Sequence, residues 1–166
     1  MPQKVTGFLG LLFIMSLLSC RSDPLGTPAI SAEGRYMVYG AIESIINVGD
    51  FDKGLFRYNF RTGHETQIIP GSDGVQGYSR PKVSVQGDKL ACRYFDGSWL
   101  YIYLMDADGS NRLRINKGYD AEFTDDGKFL IYLTSQGLCQ FDLQSGEDTL
   151  ILDQPTTGYN IEVLTL

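Results

Sequence analysis

Apolar residues in this chain fall into short runs separated by polar turns, with no helical stripe between them. Leu100-Tyr101-Ile102-Tyr103-Leu104-Met105 and Leu130-Ile131-Tyr132-Leu133 are unbroken apolar runs, the pattern of strands covered on both faces. Three signals recur in a fixed order. The first is Gly-Tyr before a short apolar strand, as in Gly77-Tyr78-Ser79-Arg80-Pro81-Lys82-Val83 and Gly118-Tyr119-Asp120-Ala121-Glu122-Phe123. The second is a polar turn holding a Gly, then a strand. It occurs at Ala32-Glu33-Gly34-Arg35-Tyr36-Met37-Val38-Tyr39, at Val85-Gln86-Gly87-Asp88-Lys89-Leu90-Ala91-Cys92 and at Asp125-Asp126-Gly127-Lys128-Phe129-Leu130-Ile131-Tyr132. The third is a strand, a turn ending in Gly and a last strand, begun by residues 55–63, 100–109 and 138–146. Asp-Gly pairs at 96–97, 108–109 and 126–127 are strong hairpin cues.

Gly34, Gly87 and Gly127 lie 53 and 40 residues apart. A period of that size with several short strands per unit is the mark of a β-propeller. Helical solenoids share the period but need amphipathic helical spacing, which is missing here. The expected fold is all-β: an open or partial β-propeller of about three four-stranded antiparallel blades plus the first strand of a fourth. The domain spans 29–166, with copies at about 29–70, 78–116 and 119–152 and the start of a fourth at 159–166. The fourth start rests on Gly158-Tyr159-Asn160-Ile161-Glu162-Val163, which matches Gly118 to Phe123 position by position. In the first copy, strands are predicted at 35–41, 55–60 and 65–69, with 42–53 as a long loop insert. Propellers close with about four to eight blades. Three blades and a strand therefore suggest a fragment of a longer protein or, second, assembly with copies of itself.

The turn Asp125-Asp126-Gly127-Lys128-Phe129-Leu130-Ile131-Tyr132 resembles the Ser-Pro-Asp-Gly-Lys core of TolB-type repeats. Tyr103-Leu104-Met105-Asp106-Ala107-Asp108-Gly109-Ser110-Asn111 is similar to that family's Tyr-x-Met-Asp-Ala-Asp-Gly-Ser-Asn signature. The resemblance covers residues 28–166. Val85-Gln86-Gly87 and Ala32-Glu33-Gly34 lack the Pro-Asp of the family turn, and Val83 or Phe123 stands where the family has Trp. The resemblance implies a WD-like propeller and no single activity.

Residues 1–19 read as a signal peptide, with Lys4 before an apolar run too short to span a bilayer. Leu17-Leu18-Ser19-Cys20 resembles a bacterial lipobox, which implies lipidation of Cys20 and a membrane partner through that lipid. Residues 20–28, rich in Ser, Pro and Gly, then form a tether. Arg21, rather than Asp, follows the Cys, which leans towards the outer membrane. The expected location is the cell envelope, as an exported lipoprotein, periplasmic or outer-membrane anchored. The net charge of −6 argues against a nucleic-acid partner, since no basic patch is available to neutralise phosphates.

Chemistry-bearing candidates are few. No Gly-x-Ser-x-Gly elbow is present, and His64 is the only histidine. No cofactor, metal site or catalytic residue is expected. Asp106-Ala107-Asp108-Gly109 begins like a calcium loop, but its Gly comes too early and no closing Glu follows, so a hairpin turn explains it. Asp120, Glu122, Asp125 and Asp126 read first as a solvated turn and second as a weak cation site. Cys92 and Cys139 sit in strands of different blades and are expected as buried free thiols. The candidate binding residues are Trp99, the only Trp, on a hairpin, and Tyr78, Tyr119 and Tyr159, which recur before each first strand. The expected function is a non-catalytic binding or scaffold module for a protein or glycan. The alternatives are the propeller part of a carbohydrate-active or peptidase-associated enzyme, and a self-assembling structural protein.

Overall fold

The computed structural model describes residues 28–45, 49–72 and 76–153. The signal peptide, Cys20, the tether up to residue 27 and the fourth-blade segment with Tyr159 lie outside the described residues. Among the described residues there are twelve strands and no helix. They form three four-stranded sheets in which each strand pairs with the next. The first holds β1 (Ala29–Ile30), β2 (Tyr36–Ile45), β3 (Gly49–Asn59) and β4 (Glu65–Ser72). The second holds β5 (Gly77–Val83), β6 (Lys89–Phe95), β7 (Leu100–Asp106) and β8 (Leu113–Lys117). The third holds β9 (Asp120–Phe123), β10 (Phe129–Leu133), β11 (Gly137–Asp142) and β12 (Asp148–Asp153). All the pairings are antiparallel, so each sheet is a meander, as expected of a blade.

A hydroxyl residue closes the first turn of every blade. Ser31, Ser84 and Thr124 stand three positions before Gly34, Gly87 and Gly127, and their carbonyls accept from the glycine N–H groups at 2.7, 2.9 and 2.9 Å. Their side-chain oxygens accept from the N–H of Tyr36, Lys89 and Phe129 at 3.2, 3.0 and 3.1 Å. The side chain thus ties the strand leaving the turn to the strand entering it. Register follows, and with it the face on which each apolar residue lands.

Those faces stack the sheets. Leu90, Cys92 and Met105 of the second blade pack with Val38, Leu55, Ile68 and Ile69 of the first. Ala91, Ile102 and Leu104 of the same strands point the other way, into a core with Leu130, Tyr132, Cys139 and Phe141 of the third. The middle strands of the second blade are therefore covered on both sides, which is why Leu100 to Met105 reads as an unbroken apolar run. Cys92 and Cys139 are buried and free, one in each core. Burial pushes the Cys92 thiol well up. The first strands lie side by side, β5 against both β1 and β9. Arg80 Nη1 reaches Asp120 Oδ2 at 2.7 Å, and Lys82 Nζ reaches Glu122 Oε2 at 2.5 Å. Two of the four acidic residues read as a solvated turn thus belong to a strand and bind the preceding blade. β5 carries an extra residue, with a register shift between Ser79 and Lys82 and φ of 49° at Arg80.

The first blade differs from its predicted form. Within the span 42–53 expected as a loop insert, residues 42–45 and 49–53 instead extend the hairpin, with Ile42 opposite Asp52 and Ile45 opposite Gly49. Continuing the ladder gives these backbone groups partners, which a loose loop would leave to solvent. The ribbon bends where the register shifts between Ala41 and Ile42. Gly54 permits this, with φ of 93° and only 2.0 Å between a built Cβ and the Ile69 carbonyl oxygen. β4 also runs on through Pro70, which an outermost strand tolerates.

The recurring Gly-Tyr has a steric cause at Gly118. A Cβ there would lie 2.7 Å from Ile102 Cγ1 and 2.9 Å from the Leu133 carbonyl oxygen. Gly118→Ala is expected to destabilise the fold by about 1–3 kcal/mol. Chemical denaturation measures this, and an unchanged midpoint would refute the steric account.

The turn carboxylates give a second expectation. Backbone N–H donors hold Asp96 (from Trp99 and Ser98) and Asp142 (from Ser145 and Gln144) below the usual carboxylate range. The Thr124 hydroxyl and the Lys128 N–H do the same for Asp126, and Lys89 and Asn111 for Asp106. Folded values below unfolded ones mean stability that is present at neutral pH and lost as pH falls through the folded values. The melting temperature should hold between about pH 7 and 5 and fall below about pH 4. A flat profile down to pH 3 would refute this.

Candidate binding surface

The β6–β7 hairpin places Trp99. Asp96 Oδ1 accepts from the N–H of Ser98 at 2.8 Å and of Trp99 at 2.7 Å, while Asp96 N–H donates to the Trp99 carbonyl at 3.1 Å. Gly97 supplies the φ of 97° that this tight turn needs. The indole is 57% exposed, and Lys117 Nζ sits 3.6 Å above its ring, which favours this pose. Lys117 gets there from β8, where it pairs with Tyr101 of β7. Arg114, two rungs along, covers the Tyr101 ring at 5.0 Å. The outer edge of the second blade thus carries two aromatic rings, each capped by a cation, with Asp96 at the hairpin. Such stacks are worth about 0.5–1 kcal/mol each at exposed sites, enough to hold a ring in a preferred pose.

The other recurring aromatics do different work. Tyr78 sits in β5, half-buried, with its ring 4.6 Å from Tyr94 and 5.7 Å from Tyr103, packed against the core shared with the first blade. Burial raises its hydroxyl above the usual range. Tyr119 holds the equivalent place in the third blade, half-buried, its N–H donating to the Leu133 carbonyl at 2.9 Å. Tyr101, Arg114 and Lys117 escaped the sequence reading because their partnership crosses strands. The signal was present, but reading it needs the register of β7 on β8.

A cleft of about 330 Å³ opens between the turns of the second and third blades, lined by Ser84, Gln86, Lys128, Leu143 and Gln144 among others. Its charged groups are engaged within the protein: Ser84 Oγ donates to Asp88 at 2.9 Å, and Lys89 pairs with Asp106 at 2.6 Å. The calcium-like stretch is a hairpin turn, as expected. Asp106 accepts from Lys89 and Asn111, and Asp108 from Ser110. Between the blades, Tyr132 Oη donates to Asp148 Oδ2 at 2.5 Å, and Asn116 of the second blade donates to both at 3.3 and 3.2 Å. Burial and the Asp148 carboxylate push the Tyr132 hydroxyl up, so it stays a donor. His64 is exposed in the β3–β4 turn.

No protein-family profile matches the sequence, and no curated protein is similar to it. Solved structures are similar in fold. TolB from Acinetobacter baumannii aligns with a TM-score of 0.57 at 22% identity, over 77% of this chain and 32% of that one. The β-propeller domain of the Trilobed protease from Pyrococcus furiosus, with its open velcro topology, aligns at 0.63 and 15% identity, over 80% of this chain and 43% of that one. An oligogalacturonate lyase in complex with manganese aligns at 0.61 and 17% identity, over 78% and 42%. The chain therefore spans about a third to two-fifths of the length of these proteins. Three stacked four-stranded meanders with these neighbours make the chain a partial β-propeller of TolB-like fold.

Proposed function

We propose that this chain is a lipid-anchored propeller module of the cell envelope that binds a protein or glycan partner without catalysis, with Trp99 at the centre of the contact. The observation that carries this is an exposed indole biased towards one pose: Asp96 pins its backbone and Lys117 caps its ring. A large apolar ring ordered before binding loses little entropy on contact, and such residues dominate binding surfaces. Arg114 and Lys117 add positive charge at the edge of an otherwise acidic chain. The lipobox-like Leu17-Leu18-Ser19-Cys20 supports the anchor. The fold it shares with TolB supports an envelope role only by analogy.

A second reading has support of its own. The fold is also that of an oligogalacturonate lyase and of a protease propeller domain. This chain could then be the propeller part of a carbohydrate-active or peptidase-associated enzyme. Turnover of a pectic oligosaccharide or a peptide by the purified chain would favour it.

Trp99 is the only Trp, so fluorescence excited where tyrosine does not absorb reports on this surface alone. Titration with peptidoglycan fragments, and separately with envelope proteins, should shift or quench the emission. In calorimetry, Trp99→Ala should weaken the same binding by about tenfold or more. Emission that responds to no partner, or binding that survives Trp99→Ala, would sink the assignment. The anchor has its own test. Cys20→Ser should move the protein from the membrane fraction to the soluble fraction, and an unchanged distribution would exclude lipid attachment at Cys20.

A further inference from the structure

Two arginines of the second blade depart from the repeat at the same place. Arg93 of β6 stands six positions after its turn glycine, where the first and third blades have Gly40 and Leu133. A position that is bare or apolar in the other blades thus carries a guanidinium here. Arg93 pairs with Ser79 of β5 as Leu133 pairs with Asp120 of β9. One step along, β9 has the single residue Ala121 where β5 has Arg80 and Pro81. This is the bulge, and Arg80 in it has φ of 49°. Ser79 and Pro81 on either side are buried, while Arg80 between them is exposed, so the bulge turns its side chain outward. A partly exposed ion pair contributes little, so the bond to Asp120 does not by itself account for holding a non-glycine residue at positive φ.

Arg93 lacks a carboxylate of its own. Its Nε–H donates to Ser79 Oγ at 3.1 Å, which orients the guanidinium from one side. Among the described residues, its terminal N–H groups have no hydrogen-bond partner. Other cations are better provided for: Lys82 and Lys89 pair with carboxylates, and Arg57, Arg112 and Arg114 lie over aromatic rings. Arg93 is half-buried, and the charges of Arg80 and Asp120 both reach it. Burial first, and then the Arg80 charge, hold its guanidinium below the usual range, while Asp120 opposes them. Two guanidiniums therefore share one carboxylate, and the cluster keeps one positive charge uncompensated.

We propose that Arg80 and Arg93 form a binding site for a carboxylate. The planar fork of a guanidinium matches the two oxygens of a carboxylate. Ser79 already orients Arg93, so little freedom is lost on binding. One added negative charge, with that of Asp120, balances the two arginines. A phosphate dianion would overshoot and place excess negative charge beside Asp120. The shared chemistry is the carboxylate, whether of a peptide terminus or of a uronic sugar, and the probes below separate the two. The Trp99 surface is formed from other residues, so its failure would leave this site standing.

The test is a titration of the full chain in non-ionic detergent, followed by the side-chain Nε–H resonances of Arg80 and Arg93. The probes are N-acetylalanine against its amide, and glucuronate against glucose. At least one carboxylate should shift both resonances to saturation and bind about tenfold or more tightly than its neutral counterpart. Tighter binding of N-acetylalanine would point to a peptide, and of glucuronate to a sugar. Arg93→Gln, read at Arg80, and Arg80→Gly, read at Arg93, should each weaken that binding about tenfold or more. Glycine accepts the positive φ, so Arg80→Gly should leave the melting temperature unchanged or raise it. Three results would overturn the assignment. One is that neither carboxylate binds more tightly than its neutral counterpart. Another is that inorganic phosphate binds more tightly than both. The third is that Arg80→Gly lowers the melting temperature and leaves binding unchanged, which would make Arg80 a blade fastener only.

Discussion

Everything in this chain depends on apolar contact between one sheet and the next. A four-stranded meander has two broad faces and no means of covering either by itself. In the second blade Leu90 and Ala91, adjacent in sequence, are both fully buried, one beneath each neighbour. Truncating a buried Leu or Ile of this kind costs about 2–5 kcal/mol, a large part of the stability of an ordinary domain. The hydroxyl-clamped turns matter because they set the register that sends Leu90 one way and Ala91 the other. The ion pairs Arg80–Asp120 and Lys82–Glu122 fasten the first strands, where little apolar surface is available. These pairs are partly exposed, so they orient the blades more than they stabilise them.

Much of this was legible in the sequence, because strands buried on both faces leave a plain mark. The runs around Leu100–Asp106 and Phe129–Leu133 marked the middle strands, and the glycines marked the turns. The role of Ser31, Ser84 and Thr124 was also there to be read, as a hydroxyl residue three positions before each turn glycine. Apolar periodicity does not register a polar residue that bonds its own backbone. The long hairpin of β2 and β3 was misjudged for a related reason. Residues 42–53 lack clean alternation, and at 42–45 and 49–53 backbone pairing extends the ribbon. The longer spacing from Gly77 to Val83 than from Gly118 to Phe123 was the visible trace of the bulge that brings Arg80 to Asp120.

The binding surface was only half legible. A lone Trp on an Asp-Gly hairpin is conspicuous in any sequence. Its partner Lys117 sits eighteen positions along the chain and on another strand, so only the folded register reveals the pair. Tyr78 shows the other side of this, for it stands out in the sequence by recurring at equivalent sites, and its ring is wedged among Tyr94 and Tyr103. Recurrence in a repeat protein marks what the repeat itself needs, and departures from it are the better guide to what one copy does alone. The same logic explains why solved structures at 22% identity or less share this fold. The contact between blades asks for apolar volume at alternating positions and tolerates many ways of supplying it.

A surface that fits its own successor has a consequence for how such a chain arises. Duplicating a gene segment of about forty residues, the spacing of Gly87 and Gly127, yields a unit already shaped for the neighbours on either side. No new interface has to be invented for the added piece to fold. Lineages can therefore lengthen or shorten these proteins in whole blades while single positions drift, and the number of blades becomes an inherited variable in its own right.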